Sequence, residues 1–322
     1  MSKTLKRSLK IILPLAVGVF LVWYSLSSMT KEHQQQVVYH IKNANYWWVA
    51  LSLFCGVLSH FSRAYRWNFL LEPIGYKPKF ANNVMTVLIA YFANLGIPRS
   101  GEVFRATAIS AYEDIPFEKA FGTIVVERVI DLIMLLLVVA LAFLFQAEIL
   151  LEILKENNFN PTYLIIFLIA GIAGLAIFVR LIRRSTSSIV IKIRGFLSGL
   201  LDGLSSIVKM KKRSAFVFHT LFIWSMYIAM FYVIKFSISG IDELSIGTIL
   251  CGFIAGAFAM TTTNGGIGVY PIAVSGIFVA FGVNADSADA FGWIMWTAQT
   301  AMVIVFGALA FFFLPIYNRK KA

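Results

Sequence analysis

Residues 81–112 read Ala81-Asn-Asn-Val-Met-Thr-Val-Leu-Ile-Ala-Tyr-Phe-Ala-Asn94-Leu-Gly-Ile-Pro98-Arg99-Ser100-Gly101-Glu102-Val-Phe-Arg105-Ala-Thr-Ala-Ile-Ser-Ala-Tyr112. An apolar limb, 81–97, ends in a polar turn, 98–102, and a shorter limb, 103–112, carries Arg105. A helix needs about 20 apolar residues to cross roughly 30 Å of hydrocarbon, so the second limb is too short to cross alone. A second region repeats the plan: 246–263 is apolar, Asn264-Gly265-Gly266-Ile-Gly268 interrupts it, and 269–282 returns. Whether each region is a pair of crossings or one interrupted insertion decides the fold.

Around these two regions lie uninterrupted apolar runs at about 11–29, 46–62, 120–146, 162–182, 214–238 and 290–315. The 322 residues are 59% hydrophobic and only 14% charged, with a mean hydropathy of +0.79. Soluble domains run near 45–50% apolar and about 25% charged, so an ordinary soluble enzyme, a disordered chain and a nucleic-acid-binding domain are excluded. The formal charge of +12 therefore reads as an orientation signal rather than as a polyanion site. Cys55 and Cys251 sit in apolar runs as core residues, and His33, His40, His60 and His219 show no metal spacing. The first run follows Lys3, Lys6, Arg7 and Lys10 without a small-x-small cleavage site, so it is read as a retained span.

Charge assigns the sides. The linker 183–213 holds eight cations against Asp202, and Arg319, Lys320 and Lys321 close the chain, so both belong with the N-terminus in the cytoplasm. The acidic connections, Glu148, Glu152 and Glu156 against Lys155, and Asp286 with Asp289, belong outside. Region 81–112 must then enter and leave on the cytoplasmic side and region 246–282 on the outer side. In this arrangement 23 of the 28 Lys and Arg face the cytoplasm. The expected fold is an all-α integral membrane protein of about six full transmembrane helices plus two re-entrant or broken helical hairpins, related as an inverted repeat. It forms a single polytopic domain, 1–322. The first half, 1–182, carries the cytoplasmic-side hairpin, and the second half, 214–322, carries the outer-side one. Between them, 183–213 reads as a basic amphipathic helix on the cytoplasmic leaflet or as a plain connector.

Three charges stand where hydrocarbon is expected. Glu127, Arg128 and Asp131 lie inside an apolar run, where an ionised side chain costs about 2.5–3.5 kcal/mol on insertion scales unless it meets a partner or a wet cavity. Glu127 and Asp131 are i,i+4 and share a face, so they need a cation, which Arg99 or Arg105 can supply. The cluster, with Glu102, is either a structural ion-pair network or the wall of a polar cavity for a charged head group. In the first turn, Pro98 ends the limb, Ser100 or Gly101 caps the next, and free N–H groups with Asn94, Arg99 and Arg105 make an anion seat. Arg63 and Arg66 either join that seat or snorkel to lipid phosphates beside Trp67, the latter being slightly favoured. The turn Asn264-Gly265-Gly266-Ile-Gly268 either presents half-helix ends to a polar group or packs helices closely through small residues. It is not a phosphate-binding loop of the nucleotide type, and no catalytic nucleophile or metal motif is visible.

At these residues the sequence resembles a known family. Arg63-Ala-Tyr-Arg66-Trp, Asn94 followed by Pro98-Arg99-Ser100-Gly101-Glu102-Val-Phe-Arg105, Glu127-Arg128-Val-Ile-Asp131 and Asn264-Gly265-Gly266-Ile-Gly268-Val resemble, in order, the lysylphosphatidylglycerol synthase transmembrane family. That family includes the flippase-like portion of the multiple peptide resistance factor and YbhN-like and AglD-like membrane proteins. The resemblance implies re-entrant helices and lipid translocation. It does not extend to the soluble domain that attaches the amino acid, so transferase activity is not implied. Position 270 is Tyr where the resemblance leads to Glu. The expectation is a lipid flippase of the cell membrane, not an enzyme and without cofactor, moving or binding an anionic phospholipid or polyprenyl-phosphate-linked lipid. The alternative is an accessory or scaffold for a cell-envelope lipid or glycan enzyme.

Overall fold

The computed structural model describes residues 16–25, 27, 29–97, 99–156 and 210–319. The expected span 162–182, nearly all of the linker, Pro98 and the terminal Lys320 and Lys321 lie outside the described residues. No strand occurs among the described residues; the chain is built of helices. In chain order they are α1 (Ala16–Ser25), α2 (Lys31–Lys42), α3 (Tyr46–Leu71), α4 (Phe80–Gly96), α5 (Gly101–Glu113), α6 (Phe117–Glu156), α7 (Arg213–Val233), α8 (Ile246–Thr262), α9 (Val269–Ala280) and α10 (Ala285–Tyr317). Contacts group residues 1–142 with 214–322 as one compact unit and 143–213 as another. The described residues of the second unit are 143–156, at the far end of α6, and 210–213; within that end of α6 Gln146 breaks helical geometry at φ −126° and ψ 21°.

Three stretches, Phe117–Ala147, Arg213–Ser237 and Ala285–Tyr317, are long and apolar enough to cross a membrane. Their outward faces carry Leu136, Leu137, Phe218, Phe312 and Phe313, all exposed; a soluble protein would bury such residues, and a bilayer solvates them. The limbs expected from sequence are α4 with α5 and α8 with α9, displaced by only a residue or two at most ends.

The two ends of α10, about 50 Å apart by helical rise, give the molecule its directions. At the C-terminal end Asn82 of α4 donates to Glu113 of α5, and Asn82 and Asn318 exchange amide hydrogen bonds at 3.0 and 2.8 Å. Both limbs of α4–α5 are thus tied at one end of α10. At the other end, α3 begins with Asn45 donating its N–H to Ser237 O at 2.8 Å, and Lys235, just after α7, donates to Leu244 O before α8 begins. Between the ends, Asn264 donates to Gly96 O at 3.1 Å and Trp296 of α10 donates to Gly265 O at 2.8 Å. The tips of the two hairpins meet within the length of α10.

Each tip needs glycine. A Cβ on Gly101 would overlap the carbonyl oxygen of Ala90 and lie 2.7 Å from Asn94 Nδ2. Gly265, at φ 61°, stands against Leu95 Cδ2 of the other hairpin. The core that holds α7, α9 and α10 together centres on Phe231, Phe278 and Phe291, all unexposed, with ring centroids 4.9 Å apart for two of the pairs in tilted, edge-on arrangements of the favourable kind.

Candidate functional site

The acids of α6 are met by arginines from two other helices. Arg63 and Arg66 are i,i+3 on α3 and project to the same side; Arg105 comes from α5, one turn beyond its start. Arg63 Nη1 donates to Glu127 Oε1 at 2.5 Å and to Asp131 Oδ2 at 2.6 Å, and its Nη2 to Tyr227 Oη at 3.2 Å. Arg66 donates to Thr220 Oγ1 at 3.0 Å and to Asp131 Oδ1 at 3.2 Å. Arg105 grips Glu127 with both terminal nitrogens, at 3.2 and 3.1 Å, the planar two-point geometry that suits guanidinium to carboxylate. Its guanidinium also lies 3.9 Å from the ring centroid of Trp67, whose Nε1 donates to Thr123 Oγ1. Arg128 lies 3.1 Å from Glu102 and 3.4 Å from Asp131.

This placement corrects the reading of Arg63 and Arg66 as snorkelling residues. Their side chains are 2% and 0% exposed, and Arg63, Arg66 and Arg105 are interior charges, not orientation signals at a membrane surface. Buried guanidiniums are tolerated here because each finds a carboxylate, with Tyr227 beside Arg63, Thr220 beside Arg66 and the Trp67 ring beside Arg105; unpaired, the desolvation cost would be several kcal/mol per ion. Arg99 does not enter the cluster: it is exposed, sits at φ 57° and makes no ion pair among the described residues. Asn94 acts within the turn. Its Oδ1 accepts the N–H of Gly101 at 2.8 Å and so caps α5 from seven residues upstream. Ser100 does not cap; its Oγ donates to Ile97 O at 2.8 Å. Gly266 and Gly268 complete the second turn at φ 72° and 73°.

Sequence reasoning missed Tyr227, Thr220, Tyr91 and His60. Tyr91 and Tyr227 join hydroxyls at 3.1 Å, and His60 lies against Tyr91 in a tilted arrangement with ring centroids 4.4 Å apart. All four are polar side chains in largely apolar helices, the one signal that marks them.

Beside the cluster opens a cavity of about 490 Å³. At one part of its wall stand His60, Arg63, Tyr91, Arg128 and Asp131. The rest is mostly apolar, with Leu132, Trp224, Phe253, Met260, Met295 and Met302 among its lining beside Ser59, Thr261 and Gln299, and Tyr270, where the resemblance leads to a carboxylate, adds its ring. Glu127 is enclosed behind Arg63 and Arg105 and does not line this space. Among the described residues no group of His, Cys, Asp and Glu could hold a metal ion.

The family profile described as the lysylphosphatidylglycerol synthase TM region matches residues 11–319. The UPF0104 membrane protein PH1989 of Pyrococcus horikoshii is 24% identical over 308 residues, covering 87% of this chain and 89% of that protein. The UPF0104 membrane protein MJ1595 of Methanocaldococcus jannaschii is 38% identical over 92 residues, 28% of this chain and 27% of its own length. The glycosyltransferase AglD of Haloferax volcanii is 29% identical over 121 residues, 37% of this chain and 19% of its own length. No solved structure matches.

Proposed function

Because the chain belongs to the lysylphosphatidylglycerol synthase transmembrane-region family, we propose that this multi-pass membrane protein is a flippase for lipids with a negatively charged head group. An anionic phospholipid or a polyprenyl-phosphate-linked lipid places its head group against the charged wall of the cavity while its tails stay among apolar side chains. The observation that carries this reading is the two-part lining of the 490 Å³ cavity, with Arg63, Arg128 and Asp131 on one part and the methionines and aromatic rings on the rest. A soluble ligand needs no such apolar body, and a purely structural ion-pair network needs no cavity.

In this proposal six spans and two re-entrant hairpins form an inverted repeat, both termini are cytoplasmic, and hairpin α4–α5 enters from that side while α8–α9 enters from outside. Two facts support it: the limbs of α4–α5 share one anchored end, and the hairpin tips touch through Asn264 and Gly96. Broken segments meeting near the midplane are the usual place for a transporter's substrate site. The protein is a transporter rather than an enzyme, driven by mass action or an ion gradient.

Reconstitution in vesicles with head-group-labelled phospholipids and polyprenyl phosphate tests the proposal. Dithionite should quench well beyond the outer-leaflet half; quenching that stops at that half for every lipid overturns it. The relationship to AglD, a protein named as a glycosyltransferase, favours one second reading, an accessory to a cell-envelope glycosyltransferase. Stable co-purification with such an enzyme, together with undiminished function of Arg105→Gln, would select that reading.

A further inference from the structure

Four guanidiniums, Arg63, Arg66, Arg105 and Arg128, face three carboxylates, Glu102, Glu127 and Asp131, in one connected cluster. The cavity wall repeats that imbalance, because its charged lining consists of two arginines and one aspartate. Among the described residues this cluster therefore carries one positive charge in excess, and the buried part of it makes an unneutralised charge expensive. The donors needed to use it are also present. His60 Nδ1 and Arg63 Nε are buried and have no hydrogen-bond partner among the described residues, both residues line the cavity, and in its Nδ1–H tautomer His60 is a donor as Arg63 is. His60 is 94% buried and Arg63 98% buried, from exposures of 6% and 2%.

We propose that the cavity selects a lipid whose head group carries one net negative charge on a phosphodiester, in preference both to a phosphomonoester dianion and to an aminoacylated, cationic head group. A single phosphodiester charge cancels the surplus and its two free oxygens meet the unpartnered donors. A dianion leaves the site one charge negative. A lysyl ammonium finds no carboxylate to receive it, since Glu127 is held by Arg63 and Arg105, Asp131 by Arg63 and Arg66, and Glu102 by Arg128. The inference rests on the reading of this cavity as a lipid head-group site and names the class of lipid for it.

Equilibrium competition on the purified protein in detergent at pH 8, against a fluorescent phosphatidylglycerol, tests this. The probes are short-chain phosphatidylglycerol, phosphatidic acid (a dianion at that pH), lysylphosphatidylglycerol, phosphatidylcholine and tail-less glycerophosphoglycerol. Phosphatidylglycerol is expected to bind about tenfold tighter than each of the others, a modest yield for one charge neutralised at contact distance in a partly buried site. Glu102→Gln raises the surplus to two and shifts the preference toward phosphatidic acid. Arg128→Gln, at a side chain 39% exposed and so tolerant of change, removes the surplus and brings phosphatidylglycerol level with phosphatidylcholine. Equal affinity for diester, monoester and lysyl lipids overturns the proposal, as does a preference that neither variant moves. Glycerophosphoglycerol binding as tightly as the lipid would make the ligand a soluble phosphodiester and also overturn it. Flipping without the charge preference removes this inference and leaves the transport reading standing; the preference without flipping does the reverse.

Discussion

Replacing Glu127 with glutamine removes the charge on which the interior cluster depends. The side chain is fully buried; Oε1 accepts from Arg63 at 2.5 Å and Arg105 at 3.2 Å, Oε2 accepts from Arg105 at 3.1 Å, and Arg66 lies 3.5 Å away. Glutamine has nearly the same shape but turns an acceptor into an N–H donor aimed at guanidiniums. Counting each lost charge-assisted bond at about 1.5–3 kcal/mol would overshoot, because Asp131 still faces Arg63 and Arg66. Breaking one side of a buried pair costs about 3–5 kcal/mol, and that is the expected loss for Glu127→Gln. Against a total stability of about 5–15 kcal/mol, a midpoint shift large enough to read in detergent micelles follows, by thermal unfolding or titration with a denaturing detergent. The double variant Glu127→Gln/Arg105→Gln restores the charge balance. It should recover at least 1 kcal/mol of the summed single losses, within the usual range of about 0.5–3 kcal/mol for contacting residues. A Glu127→Gln change within about 0.5 kcal/mol of the parent, the usual effect of a surface substitution, or strict additivity of the pair, would refute the argument that these charges hold the helices together.

Gly101→Ala should cost about 1–3 kcal/mol as an overpacked contact, because its Cβ meets the Ala90 carbonyl and Asn94. Asn94→Ala, which removes only the cap on Gly101 N, should cost about 1 kcal/mol; thermal unfolding of both should keep that order. On α2, both ring nitrogens of His33 lie against carboxylates of α10, Nδ1 against Asp286 and Nε2 against Asp289, the latter at 2.8 Å. Two such contacts require a doubly protonated ring. Burial alone would lower the pKa of His33, but hydrogen bonds and charge from Asp289 and Asp286 outweigh it and raise the value above the ordinary 6.5. A raised folded pKa means stability that is present in full below the unfolded value and lost as pH rises through the folded one. Unfolding midpoints of the parent should fall as pH rises from 6 through this window, and His33→Gln should flatten the dependence.

The hairpins were legible because their breaks use residues with few alternatives. Glycine at positive φ at 265, 266 and 268, and a glycine pressed against a backbone carbonyl at 101, punctuate otherwise apolar runs, so limb boundaries read from sequence fall within one or two residues at most ends. The end of α3 was not legible. The apolar run stops near residue 62, yet the helix continues to Leu71, because Arg63 and Arg66 are neutralised by acids more than sixty residues away in sequence. The signal for that pairing was present in the acids themselves: two carboxylates on one face of an apolar helix demand cations at their depth. Local reasoning supplied Arg105, which the structure places there, and Arg99, which it does not. The α2 helix was passed over since Lys31-Glu-His-Gln-Gln-Gln is polar and only Val37 of it is buried. Tyr91 and Tyr227 act through each other and through Arg63, a relation that exists only after three helices have packed.

The most direct test is to find the lipid in the cavity. A phospholipid bearing a photoactivatable group beside its phosphodiester, incorporated with the protein and irradiated, should label α3 around residues 56–63 and α7 around residues 224–231, both of which line the cavity. Labelling there should fall in Arg128→Gln. Labels confined to outward-facing residues such as Leu136, Leu137 and Phe312, with none on those cavity segments, would contradict the account.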